Sequence, residues 1–505
     1  MMKAVSRTRA TIANLIFYYT SLLLAITGII LVPVYLRFID IKLYGAWLAS
    51  GNIIGWLSML DPGLNELLRQ QVAKCYGEKN WTKLGQSIGT GWVVITGLSV
   101  LAVLIGLLIS QVAPGLFSLE TEHSKKLELS IFLASIGLAL TFFGGSPGSV
   151  QQGLQRSERY LAVYLFGWAC GIVATVIFLF KGFGLVAIPL GSVINGVLSS
   201  LGSSLDVIYL TKKKMSVSIG WCTQYFREIK GLIGATFLKQ VGRILANSCD
   251  AFLVAIFFGV EVVPIVVFTS RLWQMAVGFG QRISVAFVPG LAHLWGEGRT
   301  DRAAEIGVKV LKVTVWFVAF EVAALLFLNK AFIGLWVGQK FFAGSTFNLL
   351  MGLGIIIYAY AYASGQVLFA ANIIKGPALA EFAQNILRLV LLIVLLKVFG
   401  IIGVPISTIV ASVIIVLAYV HKRISSLLKV TLIELKRTMI WSVLIGTVLG
   451  LAGTQLIQID TWPGLILGAA VIILINGTML AVADVSFRSF VASGISRISF
   501  QRKNS

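Results

Sequence analysis

The chain has 505 residues, 57% of them apolar, a mean hydropathy of +0.91 and a formal net charge of +21. That length would suit three or four soluble domains, but runs of roughly 20 mostly apolar residues recur along the whole chain and exclude them. The basic excess resembles a nucleic-acid signature until the charges are placed, and no recognition motif for DNA or RNA is present.

About fourteen runs are long enough to cross some 30 Å of hydrocarbon as helices. In chain order they lie near 12–36, 43–60, 86–113, 127–149, 160–180, 184–209, 231–258, 262–288, 308–328, 345–370, 379–397, 400–420, 438–458 and 464–483. They are continuous rather than alternating, which selects helices over a barrel. The first run is too long for a signal-peptide core and lacks a clear small-residue cleavage site, so it reads as a retained helix. Well over half of the 41 Lys and Arg fall in the tails and in the loops of one side, chiefly 61–85, 210–230 and 421–437. The other side holds Arg37, Lys42, Lys125, Lys126, Lys181, Lys330, Lys340 and Lys397. This asymmetry and the even number of crossings place both termini in the cytoplasm. The segments 61–85 and 210–230 are the longest loops, and no outer loop is large enough to fold as a soluble domain.

The chain repeats itself. Val72-Ala-Lys-Cys-Tyr-Gly-Glu78 aligns with Leu291-Ala-His-Leu-Trp-Gly-Glu297, and Lys181-Gly-Phe-Gly-Leu-Val-Ala-Ile-Pro189 aligns with Lys397-Val-Phe-Gly-Ile-Ile-Gly-Val-Pro405. The two offsets nearly agree, so the repeat is six helices long. An even repeat keeps its orientation in the membrane, and the halves are expected to be related by an axis along the membrane normal. The expected fold is an all-α polytopic membrane protein with two pseudo-symmetric six-helix lobes, 1–210 and 211–425. Two further helices and a cytoplasmic tail follow in 426–505.

Familiar catalytic chemistry is missing. There is no G-x-x-x-x-G-K-[ST] and no H-E-x-x-H. Cys75, Cys170, Cys222 and Cys249 are scattered and support neither a disulfide framework nor a zinc site. His123, His293 and His421 sit far apart, in expected loops or helix ends, and read as solvated rather than catalytic. The expectation is a protein that is not an enzyme and carries no cofactor.

Positive charges inside apolar helices are the exception, since each costs roughly 2.5–3.5 kcal/mol at a helix centre on insertion scales. In the seventh run Thr236, Lys239, Gln240, Arg243, Asn247 and Asp250 recur every three or four residues, on one face opposite Phe237, Ile244 and Leu245. The eighth run aligns Arg271, Gln274 and Gly278, with Arg282 about 16 Å further along the axis. The ninth holds Glu321 and the tenth Tyr358, Tyr360 and Tyr362. The eleventh carries Glu381, Gln384, Asn385 and Arg388 on one side. Glu381 follows Pro377 in a first helical turn, where the dipole alone favours an acid.

Two accounts compete. In one, the charges pair within the bundle: Arg243 with Asp250, and Arg388 with Glu381 or Glu321. In the other, surplus positive charge lines a watery cavity between the halves and holds a large anion, because the planar guanidinium gives phosphate two parallel hydrogen bonds. The repeat also places Asp61 opposite Gly280, two positions from Arg282. Asp61 and Arg282 are thus candidates for a cytoplasmic gate, against a plainer account in which Asp61 ends a helix and Arg282 snorkels.

Pro33-Val-Tyr-Leu-Arg37, Tyr44-Gly-Ala-Trp47 and Leu60-Asp-Pro-Gly-Leu64, followed by Arg69 and Val72-Ala73, resemble the opening of the bacterial Wzx-type polysaccharide-transport flippases. These belong to the multidrug/oligosaccharidyl-lipid/polysaccharide exporter superfamily. Phe399-Gly-Ile-Ile-Gly-Val-Pro-Ile406 is similar to the signature of the second half, and Asn247 to Gly259 leading to Arg271 to the family's helix 7–8 region. The resemblance implies two lobes around a cavity that opens alternately to each side of the bacterial inner membrane. It also implies a polyprenyl-diphosphate-linked oligosaccharide as cargo, as in O-antigen and lipopolysaccharide synthesis. The expected substrate-binding residues are Lys239, Arg243, Asn247, Asp250, Arg271, Arg388 and Glu321. A coupling proton or cation and the polysaccharide polymerase machinery stand as open partners beside the bilayer. Residues 12–36 hold no Asp or Glu, which departs from the helix-1 acid of drug exporters in the superfamily. A lipid II-type flippase, a multidrug exporter and, more distantly, a membrane glycan polymerase are the alternatives.

Overall fold

A computed structural model describes residues 26–60, 63–215, 217–227, 249–428, 440–441, 444–448, 450–451, 459–483 and 488. Every regular element among them is helical. In chain order these are α1 (Ile26–Phe38), α2 (Ile41–Leu57), α3 (Leu64–Gly77), α4 (Trp81–Val112), α5 (Thr121–Gly153), α6 (Ser157–Phe180), α7 (Ala187–Ile208) and α8 (Asp250–Phe258). There follow α9 (Val263–Gly296), α10 (Thr300–Trp336), α11 (Ser345–Ala370), α12 (Lys375–Phe399), α13 (Gly403–Ile415), α14 (His421–Leu428) and α15 (Trp462–Ala483). Nine stretches among the described residues are long and apolar enough to cross a bilayer. One of them, Lys375–Leu428, contains α12, α13 and α14. The all-helical, many-span fold expected from the apolar runs is the fold observed. Several helices outrun those runs: α10 has 37 residues, about 55 Å, so its ends stand clear of the hydrocarbon.

Contacts divide the chain into two compact units, Met1–Val263 and Pro264–Ser505. In the first, α7 is packed between α5 and α6, and α5 also packs on α4. The seams are made of small residues. The Cβ that Gly137 lacks would fall 3.2 Å from Ser192, that of Gly144 2.6 Å from Ser200, and that of Gly171 2.6 Å from the carbonyl oxygen of Gly191. Lipid chains are as apolar as leucine, so close backbone approach, not water exclusion, holds spanning helices together.

The segment 61–85, expected as a basic loop, is largely helix. Leu64, Leu68, Val72 and Cys75 of α3 recur at three- and four-residue spacing and are buried. Leu68, Val72 and Cys75 pack on Leu84, Ile88, Val150 and Leu154, and Leu64 on Ile95 and Tyr225, while Glu66, Arg69 and Lys74 of the same helix keep to the polar face. Because α3 lies outside the apolar runs, water is the reference for this burial. Leu68→Ala is expected to cost about 2–5 kcal/mol, seen as a lower melting temperature of the purified protein; an unchanged melt would show that α3 contributes nothing to the core.

In the second unit α10 is the central helix, packed against α11 and α15. Polar groups tie its C-terminal end. Trp273 Nε1 and Asn329 Nδ2 both donate to Asn348 Oδ1 at 2.8 Å, and Asn329 Nδ2 also lies 3.0 Å from the carbonyl oxygen of Thr269. Phe268, Trp336 and Phe341 close over this node with ring centroids 5.3 and 5.4 Å apart.

The backbone carries the repeat. Left-handed residues recur in the same order in both halves: Lys79 and Gly298, Ser118 and Gly338, Gln155 and Asn372, Gly184 and Gly400. Each of the last pair opens a 3-10 turn, Gly184–Val186 or Gly400–Ile402, with a proline at the third position of the helix that follows. Both of those helices end in a π-helical stretch, Tyr209–Lys214 and Val416–Val420. Among the described residues, the halves differ where α2 meets α3. α2 passes through a 3-10 turn at Ser58–Leu60, and Gly63 at φ +83° then starts α3, whereas α9 runs unbroken through the matching positions. The first half has Asp61-Pro62-Gly63 there; proline lacks the N–H and disfavours helical backbone in the residue before it.

Candidate functional site

Apart from Asp250, the described side chains that the sequence singled out for binding lie in the second unit. α11 stacks Tyr358 on Tyr362, with ring centroids 6.3 Å apart and planes 28° apart. Gln281 of α9 reaches across and donates to the Tyr358 hydroxyl at 3.2 Å. Glu381 and Arg388 of α12 lie within electrostatic reach of Tyr358, and Glu381 also of Tyr362. Two helices thus bring together two stacked phenols and an amide, with an acid and a guanidinium of a third within electrostatic reach. Such a group offers hydroxyls and amides to sugar oxygens and a ring face to a sugar.

The polar stripe on α12 splits. Gln384 is buried and donates to Ser412 Oγ at 2.9 Å, and Arg388 Nε donates to Thr408 Oγ1 at 2.9 Å, so both side chains anchor α12 to α13. Glu381 is exposed. Of the expected pairings, Arg388 with Glu321 is not made: Glu321 forms no hydrogen bond or ion pair among the described residues, and its Oε2 is buried without a partner. That oxygen lies on α10 opposite Gly280, 3.7 Å from where a Cβ there would stand. A buried polar atom without a partner costs about 1–3 kcal/mol. Glu321→Leu is therefore expected to raise the melting temperature; a lower melting temperature would mean the carboxyl holds a structural partner.

Arg271, eight residues into α9, is half-buried and makes no hydrogen bond or ion pair among the described residues. Arg282 is exposed, with its guanidinium carbon 5.9 Å from the Phe279 ring centroid. Asp250 is the first residue of α8 and belongs to the first unit. Lys239, Arg243 and Asn247 lie outside the described residues, as does Asp61, the proposed partner of Arg282. His421, read as solvated, instead sits with Nδ1 3.2 Å from the hydroxyl of the fully buried Tyr360, because α14 folds back against α11.

One polar node escaped the sequence reading. Asp206, near the basic end of α7, forms an ion pair with Arg159 of α6 and accepts from Gln151 Nε2 of α5 at 2.8 Å. Its carboxylate is only 16% exposed, so it locks three helix ends together. An acid at the end of an apolar run, facing basic turns, was the available signal. Among the described residues no cluster of His, Cys, Asp or Glu could hold a metal ion.

Residues 52–177 match the family model MatE. No curated protein matches the sequence significantly. Among solved structures, the lipid II flippase MurJ in an inward closed conformation superposes with a TM-score of 0.69 at 15% identity, covering 94% of this chain and 100% of that one. An inward-facing multidrug resistance MATE family transporter of the MOP superfamily superposes with a TM-score of 0.67 at 13% identity, covering 79% of this chain and 94% of that one. The fold is therefore that of the MATE and MurJ transporters.

Proposed function

We propose that this chain is an inner-membrane flippase that moves a polyprenyl-diphosphate-linked oligosaccharide from the cytoplasmic to the periplasmic leaflet by alternating access. The observation that carries the reading is Arg271: a half-buried guanidinium on a spanning helix, without hydrogen bond or ion pair among the described residues. A charge held at that cost suits an anionic cargo, and a diphosphate matches its fork. Lys239, Arg243, Asn247, Asp250, Arg388 and Glu321 complete the proposed set of binding residues. Tyr358, Tyr362 and Gln281 suit the glycan. In this reading the lobes are 1–210 and 211–425, both termini are cytoplasmic, and Asp61 with Arg282 forms the gate.

A lipid II-type cargo is the second reading. Its support is coverage, since the MurJ structure accounts for 94% of this chain and the multidrug transporter for 79%. Cationic drugs fit less well beside Arg271, a guanidinium without hydrogen bond or ion pair among the described residues. Deleting the gene is expected to make short lipid-linked oligosaccharides accumulate on the cytoplasmic leaflet. Unchanged amounts and sidedness of those lipids would refute the reading.

A further inference from the structure

Away from these residues, the first unit has a cleft of about 610 Å³ lined by Trp92, Ile208, Lys212, Val217, Ser218 and Ile219. Its walls are α4, the π-helical extension of α7, and a strap formed by residues 217–222. The strap is a fixed part of the fold. Val217 N donates to the Thr211 carbonyl at 2.8 Å, Gly220 N to the Gly85 carbonyl at 3.3 Å, and Cys222 N to Thr90 Oγ1 at 2.8 Å. It lies so close that a Cβ on Gly85 would fall 1.9 Å from the Ser218 carbonyl oxygen, and one on Gly89 2.4 Å from that of Gly220.

The cleft sits at a definite depth. From Trp92 to Val112 α4 carries no charge, and those residues span about 30 Å, the thickness of the hydrocarbon. The uncharged stretch of α4 already begins at Leu84, and Trp92 lies nine residues, about 13 Å, from Lys83, toward the end where Lys212 and Lys213 follow α7, a position that suits the membrane boundary on the basic side. Tryptophan favours that level, where its ring is in apolar surroundings and its N–H meets polar groups.

Two groups of the lining are chemically unfinished. Trp92 Nε1 is buried with no acceptor among the described residues. Lys212 is exposed and makes no ion pair or hydrogen bond among them. Asp206, an acid on the adjoining end of α7, is already engaged by Arg159 and Gln151. The remaining walls, Ile208, Val217 and Ile219, are apolar. An indole donor and an ammonium beside an apolar wall, at headgroup depth, are complementary to a phosphodiester carrying acyl chains.

We propose that this cleft binds the headgroup of an anionic phospholipid from the basic leaflet, with its phosphate between Trp92 and Lys212 and an acyl chain along Ile208, Val217 and Ile219. Bound there, the lipid would brace the strap against α4.

The test is native mass spectrometry of the delipidated full-length protein titrated with phosphatidylglycerol or phosphatidylcholine of the same chains. Wild type is expected to bind phosphatidylglycerol at least about tenfold more tightly. Trp92→Phe, which keeps the ring and removes only the donor, and Lys212→Gln are each expected to weaken phosphatidylglycerol binding about tenfold. Neither is expected to shift the lipid-free melting temperature, and Lys125→Gln on the far side is expected to bind as wild type does. Equal retention of the two lipids, or unchanged phosphatidylglycerol affinity in both variants, would overturn the proposal. Displacement of the lipid by millimolar inorganic phosphate would also overturn it, since the cleft would then be a small-anion site.

Discussion

Arg271→Glu is expected to abolish transport while leaving the amount of folded protein in the membrane unchanged. The fold should tolerate the change, because Arg271 is only half-buried and supports no hydrogen bond or ion pair among the described residues. The cargo should not. Loss of a charge-assisted contact to phosphate costs about 1.5–3 kcal/mol, and reversal adds repulsion of similar size. Together these slow transport roughly 10²–10⁴-fold. Arg271→Lys keeps the charge but loses the fork, and is expected to retain about a tenth of the rate. Sugar export by whole cells, normalised to protein in isolated membranes, reads both variants. Export at the wild-type level by Arg271→Glu would remove the residue from the binding wall.

The second large effect is on the fold. In the α6–α7 seam, a Cβ on Gly191 would fall 1.8 Å from Thr175 Oγ1 and 2.5 Å from the Gly171 carbonyl oxygen. Thr175 cannot turn away without losing its 2.9 Å hydrogen bond to that same carbonyl, and the Gly171 backbone is fixed in its helix. Gly191→Ala is expected to cost about 1–3 kcal/mol through overpacking, and Gly191→Leu to prevent accumulation of folded protein. Gly97 provides the contrast. It lies inside α4 with no atom within 4 Å of its missing Cβ, so Gly97→Ala should be neutral or stabilise by about 0.5–1 kcal/mol. Thermal melts in detergent check all three variants. A Gly191→Ala protein as stable as wild type would show that the helices can part at no cost.

Much of this architecture is legible in the sequence, because hydrophobic length and charge placement are local properties. The turn Lys181–Pro189 and its copy Lys397–Pro405 announce the repeat, and the backbone repeats there in kind, with Gly184 and Gly400 both left-handed. α3 was not legible as helix, since its apolar stripe is short and Arg69 and Lys74 make the stretch look like a basic loop. The site was partly legible. Tyr358, Tyr362, Glu381 and Arg388 were picked out by helical spacing; the two tyrosines stack, and the acid and guanidinium lie within electrostatic reach of Tyr358. Spacing along one helix cannot show which neighbour a face meets, however, so Gln281 was missed, and the structural bonds of Gln384 to Ser412 and Arg388 to Thr408 were not foreseen. The Arg159–Asp206 pair and the docking of 217–222 on Gly85 and Gly89 join residues far apart in the chain, where a single sequence carries no signal of contact.

The central claim is movement of an anionic lipid-linked glycan across the bilayer, and reconstitution tests it most directly. Purified protein would be placed in liposomes whose inner leaflet holds a polyprenyl-diphosphate oligosaccharide with a labelled sugar, and a glycosidase added outside would report what emerges. Wild type is expected to expose the glycan with its chain length unchanged, and Arg271→Glu to leave it protected. Equal exposure by the two proteins, no exposure by wild type, or growth of longer glycan chains would contradict the account.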